Sequence, residues 1–314
     1  MVRNREKPMA SSFRSFALVG RDSDARVADS MRTLAKHLTG RGGEVLVDRN
    51  GSLDFGPTAV VRLDPQAFAE RADLLIAIGG DGTMLFASRL VIGRSVPLLG
   101  VNRGRLGFLT DVSPDDMLER LDDVLAGKFT EDRRSLLEAR LNRNGRVLGT
   151  LPALNDVVMQ KWETGRMLDF ETWIDGQYVN THGADGLVVA SATGSTAYSL
   201  SCGGPIVQPR LGAVVLVPIS PHTLSDRPIV VPADATIELR LIERADTRAQ
   251  VLCDGTELGE LAPGDRLQIV ASPHQVTLIH PPGYDYFRLL RSKLHWGRGS
   301  YDGGPTAGPQ PSER

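Results

Sequence analysis

Cysteine is scarce: Cys202 and Cys253 are the only two among 314 residues, far apart and each in apolar company. That excludes a disulfide framework and leaves two reduced, buried thiols as the expectation. Charge of one sign is also missing. A formal net charge of -2 gives no basic field of the kind that marks nucleic acid as the main partner. No apolar run is long enough to span a bilayer, and the N-terminal MVRNREKPMASSF carries positive charge without an apolar signal core. These absences point to a soluble, cytoplasmic protein. Catalytic signatures are missing as well. There is no glycine-lysine P-loop, no HExxH, CxxC pair or His-x-Glu zinc pattern, and no Gly-x-Ser-x-Gly elbow. The six histidines (His37, His182, His222, His274, His280 and His295) are scattered and suggest no metal cluster.

What is present is an ordinary globular composition, 41% hydrophobic and 24% charged, on a chain long enough for two cores. From Phe16 to Gly127, short apolar runs alternate with helical spacing. FALVG, EVLVD, LLIAI and PLLGVN read as buried strands. Val27, Met31, Leu34, Ala35 and Leu38 repeat along one helix face, MLFASRLV reads as a helix, and Ser113-Pro114-Asp115-Asp116 predicts another helix start. Strand alternating with helix implies a parallel sheet covered on both faces, a Rossmann-like α/β domain. After about Thr130 the period becomes 2. Hairpins are expected at Asn144-Gly145, Asp175-Gly176 and Asp254-Gly255, giving a mostly-β second domain of stacked sheets or a sandwich. The resulting division is 13–129 for the α/β domain, 130–285 for the β-rich domain and 286–297 for a C-terminal helix that packs back on the first domain. The stretches 1–12 and 298–314 read as disordered tails, the latter rich in Gly, Pro and Ser. With no repeat and no linker, a cleft between the halves is the natural ligand site.

Two stretches carry the chemistry. IAIGGDGTML, Ile76 to Leu85, leaves a strand, sets Gly79, Gly80 and Gly82 around Asp81, and enters a helix through Thr83. Glycines admit phosphate to the backbone, and a helix start is preorganised for anions. An acid there suits taking a proton from an attacking hydroxyl or holding a phosphate-bridging metal. It equally suits a glycine turn with Asp81 as a helix cap. The second stretch, Gly183 to Val207, ends a strand in small residues and hydroxyls around Tyr198. Such a surface fits a flat polar ligand, with the tyrosine stacking on a base, or a tight turn between sheets. Asn155 and Asp156 open another strand and offer donors and acceptors to a base edge or ribose, or form a turn.

In this order and separation, GGDGT (Gly79 to Thr83) and TGSTAYSLSCGGPI (Thr193 to Ile206) resemble the NAD kinase family, as do VNRGRLGFLTD, PHTLSDRPIV and YFRLLRSKLHWG. GGDGT alone is shared with lipid kinases and phosphofructokinases; the second motif is far more specific. The resemblance implies transfer of the γ-phosphoryl of ATP to the 2′-hydroxyl of the adenosine ribose of NAD, with Mg²⁺ held through the ATP phosphates and a homodimer or homotetramer. It implies Asp81 as general base and Gly79, Gly80, Gly82 and Thr83 as the phosphate loop. The implied NAD site comprises Asp81, Gly82, Asn155, Asp156, Arg166, Asp185, Thr196, Ala197, Tyr198, Ser199, Leu200 and Ser201. Arg103 and Arg105 are candidates to face the transferred phosphoryl or equally stand solvated, and Thr256 occupies a variable site position. The chain departs from the family at Ala192, where proline is usual, and at Gly183, where many bacterial members carry a basic residue, so NAD and NADH both stand as acceptors. Two rival readings are a lipid kinase sharing the glycine loop and a dinucleotide-binding regulator without catalysis. The first needs a membrane-facing segment, and the second has no use for Asp81.

Overall fold

The computed structural model describes residues 13–104, 107–162, 167–242 and 247–296. The described residues up to Pro282 form one compact unit, and those from Gly283 form another. The first half runs β1 (Ser15–Gly20), α1 (Ala25–Gly40), β2 (Glu44–Asp48), β3 (Val61–Leu63), α2 (Phe68–Arg71), β4 (Leu74–Gly79), α3 (Asp81–Leu90), β5 (Leu98–Asn102) and α4 (Met117–Leu125). The second continues β6 (Thr130–Arg143), β7 (Arg146–Ala153), β8 (Asp156–Lys161), β9 (Leu168–Ile174), β10 (Gln177–Ala184), β11 (Gly186–Ser191), α5 (Tyr198–Ser201), β12 (Ala213–Ile219), β13 (Ile229–Pro232), β14 (Ile237–Leu241), β15 (Ala249–Cys253), β16 (Thr256–Leu261) and β17 (Arg266–His280). The second unit holds α6 (Tyr286–Leu294), capped by the Asp285 carboxylate, which accepts from the Phe287 and Arg288 amides.

β1 to β5 pair in parallel in the order β5-β4-β1-β2-β3. Every residue of β4 and β5 is buried, which explains their unbroken apolar runs: a parallel strand covered on both faces has no polar side to show. One layer of core joins α1 and α4 to the sheet through Leu34, Leu38, Leu121 and Val124. The other joins α2 and α3 through Phe68, Met84 and Ala87.

The parallel sheet does not stop at β5. β17 pairs parallel to it through Leu278 and Leu98, and then antiparallel to β6 along nearly its whole length. These two long strands belong to both halves, so the α/β sheet becomes a mixed sheet running on into β14, β9 and β10. A second sheet, in the order β13-β12-β11-β8-β15-β16, lies against the β end of the first. Phe170, Ile237, Leu267, Val157, Val189 and Val251 fill the space between them. The N-terminal part is therefore α/β and the C-terminal part mostly β, in stacked sheets.

All three expected hairpins are present, with φ of +50° and +79° at Asn144-Gly145, +50° and +76° at Asp175-Gly176, and +46° and +74° at Asp254-Gly255. Two successive left-handed residues match the twist of the strands they join, and only Asn, Asp and Gly adopt them readily. Two local expectations change. β3 is an extra strand, too short and too exposed to show a period. α4 starts at Met117 with Asp116 at its cap, rather than at Ser113. Val112 is still bridged to Val101, which keeps the chain extended until Ser113, and a turn must intervene before the helix can wind.

The strand that delivers the glycine loop depends on its own burial. Ile76 is wholly enclosed at the middle of β4. Ile76→Ala should lower unfolding free energy by about 2–5 kcal/mol in urea titrations, and Ile76→Val by about 1 kcal/mol.

Candidate active site

Two regions converge here, one on each half, and each is built around a carboxylate. In the α/β half the chain runs from β1 outward to β2 and β3, then returns to place β4 and β5 on the other side of β1. The strand order reverses between β1 and β4, and the crevice outside their carboxyl ends is where open α/β sheets bind ligands. Gly79 closes β4 at that edge, Gly80 is the cap residue of α3, and Asp81 is its first helical residue. Thr83 and Met84 donate their amides to the Gly80 carbonyl, and no side chain caps the helix. The first turn therefore keeps the positive end of the helix available to an anion.

Asp81 is not that cap. Its carboxylate reaches across to the 107–110 loop, where Oδ2 accepts the Phe108 amide at 2.9 Å and Oδ1 the Leu109 amide at 3.0 Å. Gly107 sits so close that a Cβ there would overlap Asp81 Oδ1. VNRGRLGFLTD thus has a physical task invisible in the sequence, which is to hold the carboxylate of a residue more than twenty positions earlier. Arg103 donates its amide to the Gly79 carbonyl at 2.9 Å, while its guanidinium bonds Ser30 on α1. Arg105 lies outside the described residues.

The β half gathers the second region around Asp254. Its carboxylate accepts the amides of Leu154, Asn155 and Asp156 at 2.7, 2.8 and 3.1 Å, fixing the turn that opens β8. Ser191 donates its amide to the Asn155 carbonyl at 2.8 Å and its hydroxyl to the Leu154 carbonyl at 2.5 Å. Gly194 then lies directly on the Asn155 backbone, where any side chain would collide. Asn155, Asp156 and the Thr193–Ser201 segment are in this way one assembly. Burial, with Asp254 alongside, pushes the Asp156 carboxyl up to about 7, against the opposing pull of the Tyr198 amide. Burial raises the Asp254 carboxyl as well, although its three amide donors oppose the shift.

Tyr198 is 41% exposed, its ring presented to solvent beside Cys202 and within the field of Asp156 and Asp185. Asp185 pairs with Lys161 at 2.7 Å. Thr196, Ala197 and Leu200 are half-buried and Ser201 is exposed, whereas Ser199 is fully enclosed under Gly204. Arg166 lies outside the described residues. Gly183 lies beside Met167 and Asp169. Both thiols are free, and burial pushes that of Cys253 up to about 12. Among the described residues no group of three or more His, Cys, Asp or Glu is arranged to hold a metal ion. Also among them, no helix is long and apolar enough to cross a membrane.

Two bridges connect the regions. Arg89, near the end of α3, donates to the Cys253 carbonyl at 2.6 Å, to the Asp254 carbonyl at 3.3 Å and to Thr256 Oγ1. The helix that begins with Asp81 therefore ends on the turn that organises Asn155 and Asp156. The other bridge is a buried chain of charges. Arg134 donates to Thr193 Oγ1 at 3.3 Å and to Asp132 at 2.7 Å, while His280 lies 3.5 Å from Asp132 and 2.9 Å from Asp111. Burial alone would raise the Asp132 carboxyl, but hydrogen bonds from His280 and Arg134 bring it down to about 2. Burial likewise opposes the imidazolium of His280, yet its bonds to Asp111 and Asp132 raise it above the ordinary value. Apart from Arg134 and Asp132, which share a face of β6 two residues apart, these contacts join residues that neither period nor motif relates.

Asp156 and Asp132 make the pH dependence specific. A folded carboxyl near 7, against 3.8 for the unfolded group, means the native state holds the extra proton between those values. The stability contributed by Asp156 is thus complete below about 3.8 and lost as pH rises through about 7. Asp132 acts only below 3.8 and His280 only above 6.5; within the interval neighbouring Asp254, also raised from 3.8 by burial, loses stability in the same direction as pH rises. Between about pH 4 and about pH 6.5, the Tm of Asp156→Asn should gain steadily on wild type. Parallel melting curves would refute the assignment.

Two family models match the chain: the ATP-NAD kinase N-terminal domain over residues 16–129 and the ATP-NAD kinase C-terminal domain over 154–281. An NAD kinase of Marinobacter nauticus is 45% identical over 90% of this chain and 97% of its own length. One of Hahella chejuensis is 42% identical over 93% and 99%. In three dimensions the chain superimposes on an Archaeoglobus fulgidus NAD kinase, solved in complex with ATP, with TM-score 0.68 and 25% identity, covering 90% of this chain and 98% of that one. It shares its fold with a yeast NADH kinase solved with NADH, at TM-score 0.82 and 23% identity, covering 94% and 91%. With both domain models matched along most of its length and relatives above 40% identity covered almost end to end, this chain belongs to the ATP-NAD kinase family.

Proposed function

We propose that the protein transfers the γ-phosphoryl of ATP to the 2′-hydroxyl of the adenosine ribose of NAD, giving NADP and ADP. The observation that carries this reading is the Asp81 carboxylate, held by the Phe108 and Leu109 amides at the positive end of α3. Each oxygen spends one lone pair on an amide and keeps capacity for a further hydrogen bond. Asp81 takes the proton of the 2′-hydroxyl as that oxygen attacks phosphorus and the bond to the β-phosphate bridging oxygen breaks. A positioned base matters because a ribose hydroxyl is a weak nucleophile.

The adenosine of the acceptor lies against Tyr198, with Asn155 and Asp156 reading its polar edge. Asp185, Thr196, Ala197, Leu200, Ser201 and the backbone at Ser199 complete the wall, together with Gly82 and Arg166. Asp156, titrating near neutrality, is able to donate or accept at that edge. Gly79, Gly80, Gly82 and Thr83 cradle the donor's phosphates while the phosphoryl passes to the 2′-oxygen. No protein residue is assigned to Mg²⁺, which the ATP phosphates would hold and which would supply neutralisation of their charge. The division of labour follows residues 13–129 and 130–285, in a cytoplasmic homodimer or homotetramer. The lipid-kinase and regulator readings gain no support from the matched families.

Incubation with ATP, Mg²⁺ and NAD should yield NADP, read with an NADP-specific dehydrogenase; its absence would overturn the proposal. Parallel reactions with NADH and with polyphosphate establish acceptor and donor range. Asp81→Asn should lower kcat by about 10²–10⁴-fold while the Kd for NAD moves by less than about threefold. A variant with near-normal turnover would remove Asp81 from its role as base.

A further inference from the structure

We infer that buried His280 is a positioning residue for the phosphoryl transfer, fixing from behind the loop whose Phe108 and Leu109 amides hold the Asp81 carboxylate, an inference that rests on the kinase reading above. The loop is tied at its start by the Arg103 amide on the Gly79 carbonyl, at 2.9 Å. At its end the Val112 carbonyl accepts the Asn102 amide at 2.8 Å, and the Val112 amide donates to the Gly100 carbonyl at 3.2 Å. Between those ties Asp111, two residues beyond Leu109, anchors the loop to the last residue of β17: its Oδ2 lies 2.9 Å from His280 Nδ1.

The ring sits between two acids. Its other nitrogen, Nε2, lies 3.5 Å from Asp132 Oδ2, and the imidazole is 2% exposed. Only the doubly protonated ring offers a proton toward both carboxylates; a neutral ring would turn a lone pair on one of them. Among the described residues, the charged groups facing it are Asp111 from the loop and Asp132 from β6, with Arg134 beyond Asp132. Both acids favour the imidazolium over the opposition of burial. The clasp therefore persists while His280 keeps its second proton and slackens when that proton leaves.

The consequence is kinetic. His280 acts on Asp81 through two amides, so its loss displaces the base and leaves the donor and acceptor seats in place. A base misplaced by about 1 Å costs turnover steeply, up to about 10²-fold, without a matching loss of binding. Asp156 and Asp254, the other carboxyls raised by burial, lie at the start of β8 and the Asp254-Gly255 turn and are common to wild type and variants, so they cancel in a comparison.

The test uses the full chain with His280→Gln and Asp111→Asn. In each, kcat should fall at least about tenfold while KM for NAD and for MgATP stays within about twofold. In the ligand-free protein, amide exchange at Phe108 and Leu109 should quicken about tenfold, with Ile76 in β4 unchanged. Removing the Asp111 charge lowers the pH at which His280 gives up its proton, so the alkaline fall of kcat should move down by about one pH unit in Asp111→Asn. If His280→Gln fails to fold, Asp111→Asn carries the test, since it keeps an oxygen for the ring. Unaltered kcat and exchange would overturn the assignment. So would an alkaline limb that stays in place, or exchange that quickens equally at Ile76, which marks general loosening. Exchange needs no turnover: local quickening in a wild type that forms no NADP would uphold the clasp and sink the kinase reading alone.

Discussion

The grip of two backbone amides on the Asp81 carboxylate is the contact from which the rest of the site can be traced. Phe108 and Leu109 can donate only if their loop is held against α3. That loop continues to Asp111, bonded to buried His280, which shares Asp132 with Arg134, and Arg134 reaches Thr193 at the head of the second motif. A buried charge deprived of its partner costs about 3–5 kcal/mol, so such a chain resists opening at any link. The residues that hold the Asp81 carboxylate and those that head the Thr193–Ser201 turn are thus members of one network, carried by the two long strands β6 and β17.

Buried aspartates behave in opposite ways within this single fold. Asp132 is surrounded by cations and falls to about 2; Asp156 has burial and a second carboxylate beside it and rises to about 7. The first is a permanent anion that locks structure. The second changes protonation near neutral pH beside the Thr193–Ser201 turn. Burial is common to both, and the sign is decided by whether the neighbour is a cation or another acid.

Much of the architecture was written in local pattern. The unbroken apolar runs of β4 and β5 follow from burial on both faces, and Asn144-Gly145, Asp175-Gly176 and Asp254-Gly255 turn because few other residues accept positive φ. β3 escaped because three residues, two half-buried around an exposed Arg62, are too few to carry a period, and α4 began late because Val112 was still tied to Val101. In the site, Asp81, Asn155, Asp156 and Tyr198 stood out by residue type within their motifs. Gly107, Arg89, Asp254 and His280 did not, since a glycine, an arginine, a turn aspartate or a lone histidine is unremarkable until its neighbour is known.

By itself the sequence determined the two periodicities, the turns, the glycine loop before a helix, and motifs specific enough to name a family. Those features report backbone conformation and which face is buried, and both repeat over a few residues. Tertiary structure alone decided that Asp81 would be held by residues 27 and 28 positions away, and that Arg89 would close on a carbonyl 164 positions distant. Contacts of that range depend on strand register and sheet packing, where one residue of slip would turn a side chain to the opposite face.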